Sequence, residues 1–189
     1  MKYGVVHLPK PGKRVSGDAY LFLEDTDSTL VALIDGLGSG EAANLAATRA
    51  QACVASSSTA PLIELLKRCH QALHGTRGAV MMLMRVNRRE QKVSFAGVGN
   101  IGVRVFSDLP INPISRNGIV GYRMTSVQEF SYPYMEGDVF VLHSDGVSTR
   151  FQVEEKWVCS PSTDPQDVAD EIVEHYGKDN DDVTLLVVR

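Results

Sequence analysis

Five aspartates stand where an apolar run meets a turn. Asp18 stands just before "AYLFLE", Asp35 closes "TLVALID", Asp145 ends "VFVLHSD", and Asp181 and Asp182 open the last strand, "DVTLLVV". Any one of them alone reads as an ordinary turn residue, because a short carboxylate side chain caps turns well. The set reads differently. Four carboxylates gathered by strand ends would repel one another and raise their pKa values strongly unless cations lay between them. A hard divalent ion, Mg²⁺ or Mn²⁺, suits an all-oxygen donor set. Zinc would want His or Cys ligands, which are missing here.

Asp35 continues into "DGLGSGE", a glycine-rich turn from a strand into a helix. Such glycines let the backbone approach either a phosphate or a cation closely. A dinucleotide fingerprint is excluded on two counts: Glu41 occupies the place of the third glycine, and no alternating parallel strand-helix units follow.

The elements that must position these residues follow from periodicity. Strand-like runs fall at 3–8, 19–24 and 29–35. A first helix is expected after Gly38-Ser39-Gly40, with Ser39 as N-cap, through about Ser56, and a second from Pro61 to about Leu73. The period then returns to two at 79–86, 92–98 and 102–106, with a hairpin turn at Asn87 to Glu90 whose neighbours Arg85, Arg88 and Arg89 read as solvated. Residues 107–125, with two prolines and two glycines, read as a long loop suited to substrate contacts. Strands at 126–132 and 138–144, a helix from Pro165 to Tyr176 capped by Asp164 and stopped by Gly177, and a strand at 182–188 complete an α+β pattern.

Composition narrows the function classes. With 189 residues, 43% of them hydrophobic, and no linker or repeat, the chain is expected to form a single domain, 1–189. A net charge of −4 offers no broad basic surface for nucleic acid. No apolar run reaches the roughly 18 residues of a membrane span, and the polar start reads as no signal peptide, so a cytoplasmic protein is expected. Cys53, Cys69 and Cys159, far apart and odd in number, read as small buried hydrophobes rather than disulfide partners. His143, on a strand face with Val141 and Asp145, reads as a hydrogen-bonded core histidine, and His70 and His74 as surface residues.

The ordered series "SGD" (16–18), "IDGLGSG" (34–40), "RGAV" (77–80), "VGN" (98–100), "GD" (137–138), "SDG" (144–146) and "DDVT" (181–184) resembles the metal-dependent serine/threonine phosphatases of the PPM, or type-2C, family. It is most similar to the short bacterial branch of sporulation stage-two and environmental-stress phosphatases. The resemblance implies an αββα sandwich of two antiparallel sheets flanked by helices, with two Mn²⁺ or Mg²⁺ ions at one edge. It implies that Asp35 bridges both ions, Asp145 and Asp181 bind the first, and Asp18 with the Gly36 carbonyl holds the second, with Asp35 and Asp145 the catalytic pair.

The implied activity is hydrolysis of phosphoserine or phosphothreonine by a metal-activated water, on a stressosome scaffold or antagonist protein. Nucleic acid and membrane are not implied as partners. Where many members have aspartate this chain has Asn100, and where many have asparagine it has Asp182. No arginine aligns with the phosphate-binding one of eukaryotic members, which leaves Lys13 or Arg14 for that contact. The alternative is a catalytically silent phosphoprotein-binding module of the same fold.

Overall fold

The structure, a computed structural model, describes residues 1–124 and 126–189. Two main antiparallel sheets form its centre. One has the strand order β1 (Tyr3–Leu8), β11 (Val183–Val188), β10 (Val139–His143) and β6 (Gly102–Phe106). The other runs β2 (Asp18–Glu24), β3 (Ser28–Gly36), β4 (Ala79–Asn87), β5 (Lys92–Val98) and β9 (Glu129–Pro133).

Alternation along the strands builds three apolar layers. Val31 and Leu33 of β3 and Met82 and Met84 of β4 face inward and meet Phe140, Leu142, Leu186 and Val188 of the opposite sheet. The intervening residues Leu30, Ala32, Ile34, Met81 and Leu83 face outward, under α1 (Glu41–Ser56) and α2 (Leu62–Ala72). On the other outer face Val139, Val141, Leu185 and Val187 lie under α4 (Pro165–Tyr176) and the short α3 (Glu155–Val158). The result is the expected αββα sandwich. Helix α1 buries Ala43, Ala46, Ala47 and Ala50, so its backbone lies close to the sheet. Helix α2 presents the larger Leu62, Leu65, Leu66 and Cys69. No helix among the described residues is long and apolar enough to cross a membrane.

Several local expectations need correction. The N-cap of α1 is Gly40, at φ 71, and not Ser39, because the chain enters the helix through a left-handed turn that a glycine adopts without strain. The 107–125 stretch contains a small two-stranded sheet, β7 (Gly118–Ile119) with β8 (Arg123–Met124), and its last residue, Thr125, lies outside the described residues. The strand expected over 126–132 begins only at Glu129. Arg85 and Arg88 are not merely solvated. Arg85 donates to the Ala60 carbonyl at 2.9 Å, and Arg88 to Thr29 Oγ1 at 2.8 Å and Glu24 Oε1 at 2.9 Å, so both tie the hairpin to neighbouring segments.

Candidate metal centre

Strand register brings the aspartates to one edge of the sandwich. In the β2–β3 pair, Asp18 lies directly opposite Asp35. In the other sheet β10 ends at His143 beside Leu185 of β11, so Asp145 and Asp181–Asp182 leave the sheet at the same end. Two hydrogen bonds lock that junction: Ser144 N–H donates to the Thr184 carbonyl at 2.9 Å, and Thr184 N–H to the Ser144 hydroxyl oxygen at 3.0 Å. Gly17 and Gly36 close the end of the β2–β3 pair, and Gly17 also abuts the other sheet's Asp182. Gly36 N–H donates to the Gly17 carbonyl at 3.0 Å, and a Cβ on Gly17 would lie 2.8 Å from Asp182 Oδ2.

Asp35, Asp145 and Asp181 line a cavity of about 360 Å³ together with Lys10, Leu37, Gly38, Ser39, Val80 and Asn100. Asp18 and Asp182 are buried and stand outside that lining. Gly36 is buried at the end of β3. Lys13 is exposed and outside the cavity lining, its side chain alongside Gly40. Arg14 is exposed and outside the cavity lining.

The electrostatics are those of a site short of positive charge. Burial, and then the carboxylates of Asp18, Asp145, Asp181 and Asp182, push Asp35 up to about 8. Burial also pushes Asp18 up to about 6, with Asp182 and Asp145 adding to the shift and the Thr184 and Ser144 hydroxyls opposing it. The Oδ2 atoms of Asp18 and Asp182 are buried with no hydrogen-bond partner among the described residues. An unpartnered buried carboxylate oxygen is costly, and a cation removes that cost. The oxygen-rich donor set therefore fits hard divalent ions.

Neighbouring groups hold the acids in place. Asn100 Nδ2 donates to Asp145 Oδ2 at 3.2 Å, and Lys178 Nζ to the Asp145 carbonyl at 2.6 Å. Lys10 N–H donates to Asp182 Oδ1 at 2.8 Å, and Asp182 N–H to Asp181 Oδ1 at 3.0 Å. Sequence reasoning missed Lys10 and Lys178. Each lies in a polar loop beside an aspartate motif, and that adjacency was the only available signal.

His143 is a buried core histidine, its Nδ1 2.9 Å from the Ser144 carbonyl and its ring against Phe151. Burial lowers its pKa. His70 does more than occupy the surface: its Nδ1 accepts from Gly121 N–H at 2.9 Å and so tethers the long loop. Cys53, Cys69 and Cys159 are free, with Cys69 fully buried. Glu171, Glu174 and His175 also lie within ligating distance of one another, but all three are exposed on α4.

Comparison with known proteins agrees with this geometry. Residues 25–189 match the family described as Stage II sporulation protein E (SpoIIE). The chain is 26% identical over 146 residues to phosphoserine phosphatase RsbX of Bacillus subtilis (strain 168), covering 76% of this chain and 73% of RsbX. The crystal structure of RsbX with magnesium superposes with a TM-score of 0.85 at 22% identity, over 97% of this chain and 92% of RsbX. A structure from work on the bacterial stressosome, described as a modular system adapted to control secondary messenger signalling, gives a TM-score of 0.93 at 34% identity, over 100% of this chain and 98% of that one. The catalytic domain of the serine threonine phosphatase PstP with two manganese ions gives 0.75 at 16% identity, over 98% and 96%. The chain thus belongs to the Stage II sporulation protein E family and is a metal-dependent serine/threonine protein phosphatase with the type-2C fold.

Proposed function

We propose that this chain, acting as a single catalytic domain over residues 1–189, removes phosphate from phosphoserine or phosphothreonine on a cytoplasmic stress-signalling protein, a stressosome scaffold or an antagonist in a partner-switching pair. Asp18, Asp35, Asp145 and Asp181, with the Gly36 carbonyl, hold two Mg²⁺ or Mn²⁺ ions in this reading. The observation that carries it is the burial of Asp35 among carboxylates gathered from both sheets, which together push it up to about 8. RsbX with magnesium, PstP with two manganese ions and the stressosome relative support the choice of ions and of substrate class.

Bound at such a site, divalent ions supply a water of lowered pKa and offset charge on the phosphoryl oxygens. The protein supplies the positions. Asp35 receives the repulsion of Asp18, Asp145, Asp181 and Asp182, which suits it to the bridging role. Asn100 limits rotation of the Asp145 carboxylate, and Lys178 fixes the backbone of that turn. None of Cys53, Cys69 and Cys159 is among the residues lining the cavity, so the reading needs no cysteine phosphoenzyme.

A silent phosphoprotein-binding module is not favoured, because binding alone does not require so costly a concentration of like charge. The test is hydrolysis of p-nitrophenyl phosphate and of candidate phosphoproteins with Mn²⁺, with Mg²⁺ and with EDTA. Turnover that needs the ion and returns on its addition is expected; full activity in EDTA would sink the two-metal reading.

A further inference from the structure

Arg77 lies in the turn between α2 and β4 and is exposed. Its guanidinium covers Gly38: a Cβ on that glycine would meet Nη1 at 2.5 Å and Cζ at 3.7 Å. Gly38, at φ +95, lines the cavity with Asp35, Asp145 and Asp181. Farther along the same loop, Lys13 lies alongside Gly40, its Cδ 3.5 Å and its Nζ 3.9 Å from a Cβ placed there. Two cations from distant parts of the chain thus bracket Gly38-Ser39-Gly40. No hydrogen bond or ion pair engages Arg77 among the described residues, although it stands beside a cavity lined with carboxylates.

Charge balance says what such a cation is for. Two divalent ions would only neutralise Asp18, Asp35, Asp145 and Asp181; Lys10 beside the cavity and Lys178 on the Asp145 carbonyl offset Asp182 and leave little over for a dianion. A phosphoryl dianion approaching that site needs further positive charge from the protein. A guanidinium supplies it with a planar fork of N–H donors that matches two phosphoryl oxygens.

We propose that Arg77 is a substrate-binding residue that, with Lys13 across the loop, grips the phosphoryl oxygens of the phosphoserine or phosphothreonine at the cavity. The proposal rests on the phosphatase reading above. It gives "RGAV" a chemical role, whereas a residue serving only as counterion to the carboxylates would tune metal affinity instead.

The experiment uses the full chain, with Arg77→Ala and Arg77→Lys compared with the parent. Binding of inorganic phosphate to the Mn²⁺-loaded protein and binding of Mn²⁺ itself are measured by calorimetry, alongside kcat and KM on p-nitrophenyl phosphate and a phosphoserine peptide. Because Arg77 is exposed, both variants should keep the parent's melting temperature. Arg77→Ala should weaken phosphate binding and raise KM by roughly tenfold or more, the scale of a lost charge-assisted contact, with Mn²⁺ affinity unchanged. Arg77→Lys should recover part of the loss. Unchanged phosphate affinity in Arg77→Ala, or a tighter Mn²⁺ site as its only effect, would overturn the proposal. Phosphate binding is read without turnover, so a parent protein that binds phosphate but hydrolyses nothing would count against the phosphatase reading while still testing Arg77.

Discussion

At the turn end of the β2–β3 hairpin, Glu24 lies 2.9 Å from Arg88, which also donates to Thr29 Oγ1 and to the carbonyls of Asp25 and Thr26. At the open end of the same hairpin, Asp18 and Asp35 face each other with Asp145, Asp181 and Asp182 nearby. The turn end matches its acids with a cation and with backbone donors, and Asp25 is held below the usual carboxylate range by the Ser28 and Asp27 N–H groups. The open end pushes Asp35 up to about 8. One hairpin therefore has a stabilising end and an end held ready for ions, distinguished by burial and by the supply of donors and counter-charge.

The most severe way to break this contrast is Asp35→Asn. It should cut turnover by roughly a thousandfold or more, because a neutral amide cannot balance two cations. The metal-free variant should melt at a higher temperature than the parent, since one repelling charge is gone. Near-normal turnover in a folded Asp35→Asn protein would remove the bridging role.

Next in size is the comparison of Asp181 with Asp182. Asp181 lines the cavity, whereas Asp182 is buried and accepts from Lys10 N–H, a contact that asparagine can keep through its carbonyl oxygen. Asp181→Ala should weaken Mn²⁺ binding and lower turnover severely, and Asp182→Asn should keep most activity. Titration of both variants with Mn²⁺ checks the order, and the reverse ranking would place the ligand one residue further on.

A smaller effect follows from pH. Asp18 and Asp35 titrate at about 6 and about 8 in the folded chain, above the 3.8 usual for the side chain. The folded state therefore holds more protons than the unfolded state between about pH 4 and about pH 8, and metal-free stability should fall as pH rises through that window. Mn²⁺ competes with those protons, so the rise in melting temperature on adding it should grow with pH. Scans at several pH values with Mn²⁺ or EDTA test this; an increment that shrinks toward pH 8 would contradict it.

The smallest effects belong to the turn end. Arg88→Ala should destabilise the fold by about 1–2 kcal/mol, the scale of a few partly solvated hydrogen bonds, and leave turnover alone. Glu24→Gln should cost less than about 1 kcal/mol. Urea unfolding measures both, and a loss of activity in either would show that the two ends are coupled.

The α+β pattern was legible because the period switches cleanly between 2 and 3.6, and because Asp164 and Gly177 bracket α4 as a cap and a stop should, whereas the two-sheet sandwich followed from the family resemblance. Helix α3, at Glu155–Val158, was too short to show a period, and β7 and β8 are two-residue strands that exist only through their pairing. Within the site, the aspartates could be recognised because each sits next to a turn. Lys10, Lys178 and the placement of Arg77 over Gly38 depend on where loops distant in sequence come together. Alternation along a strand says nothing about that. Likewise, Arg88 reads as solvated until its bonds to the 24–29 turn are seen.

Of the gathered carboxylates, Asp18 and Asp35 belong to one sheet, and Asp145 and Asp181 leave the other. Ions seated among them would fasten the two layers together as a rivet does, and the gap they span is set elsewhere. That gap is kept open by the side chains packed between the sheets, Phe95 and Phe140 the bulkiest of them. Phe140→Leu would thin that filling and disturb the spacing between the two pairs of carboxylates with no change to any of them. The spacing of the carboxylates across the sandwich is to that extent a property of its hydrophobic interior.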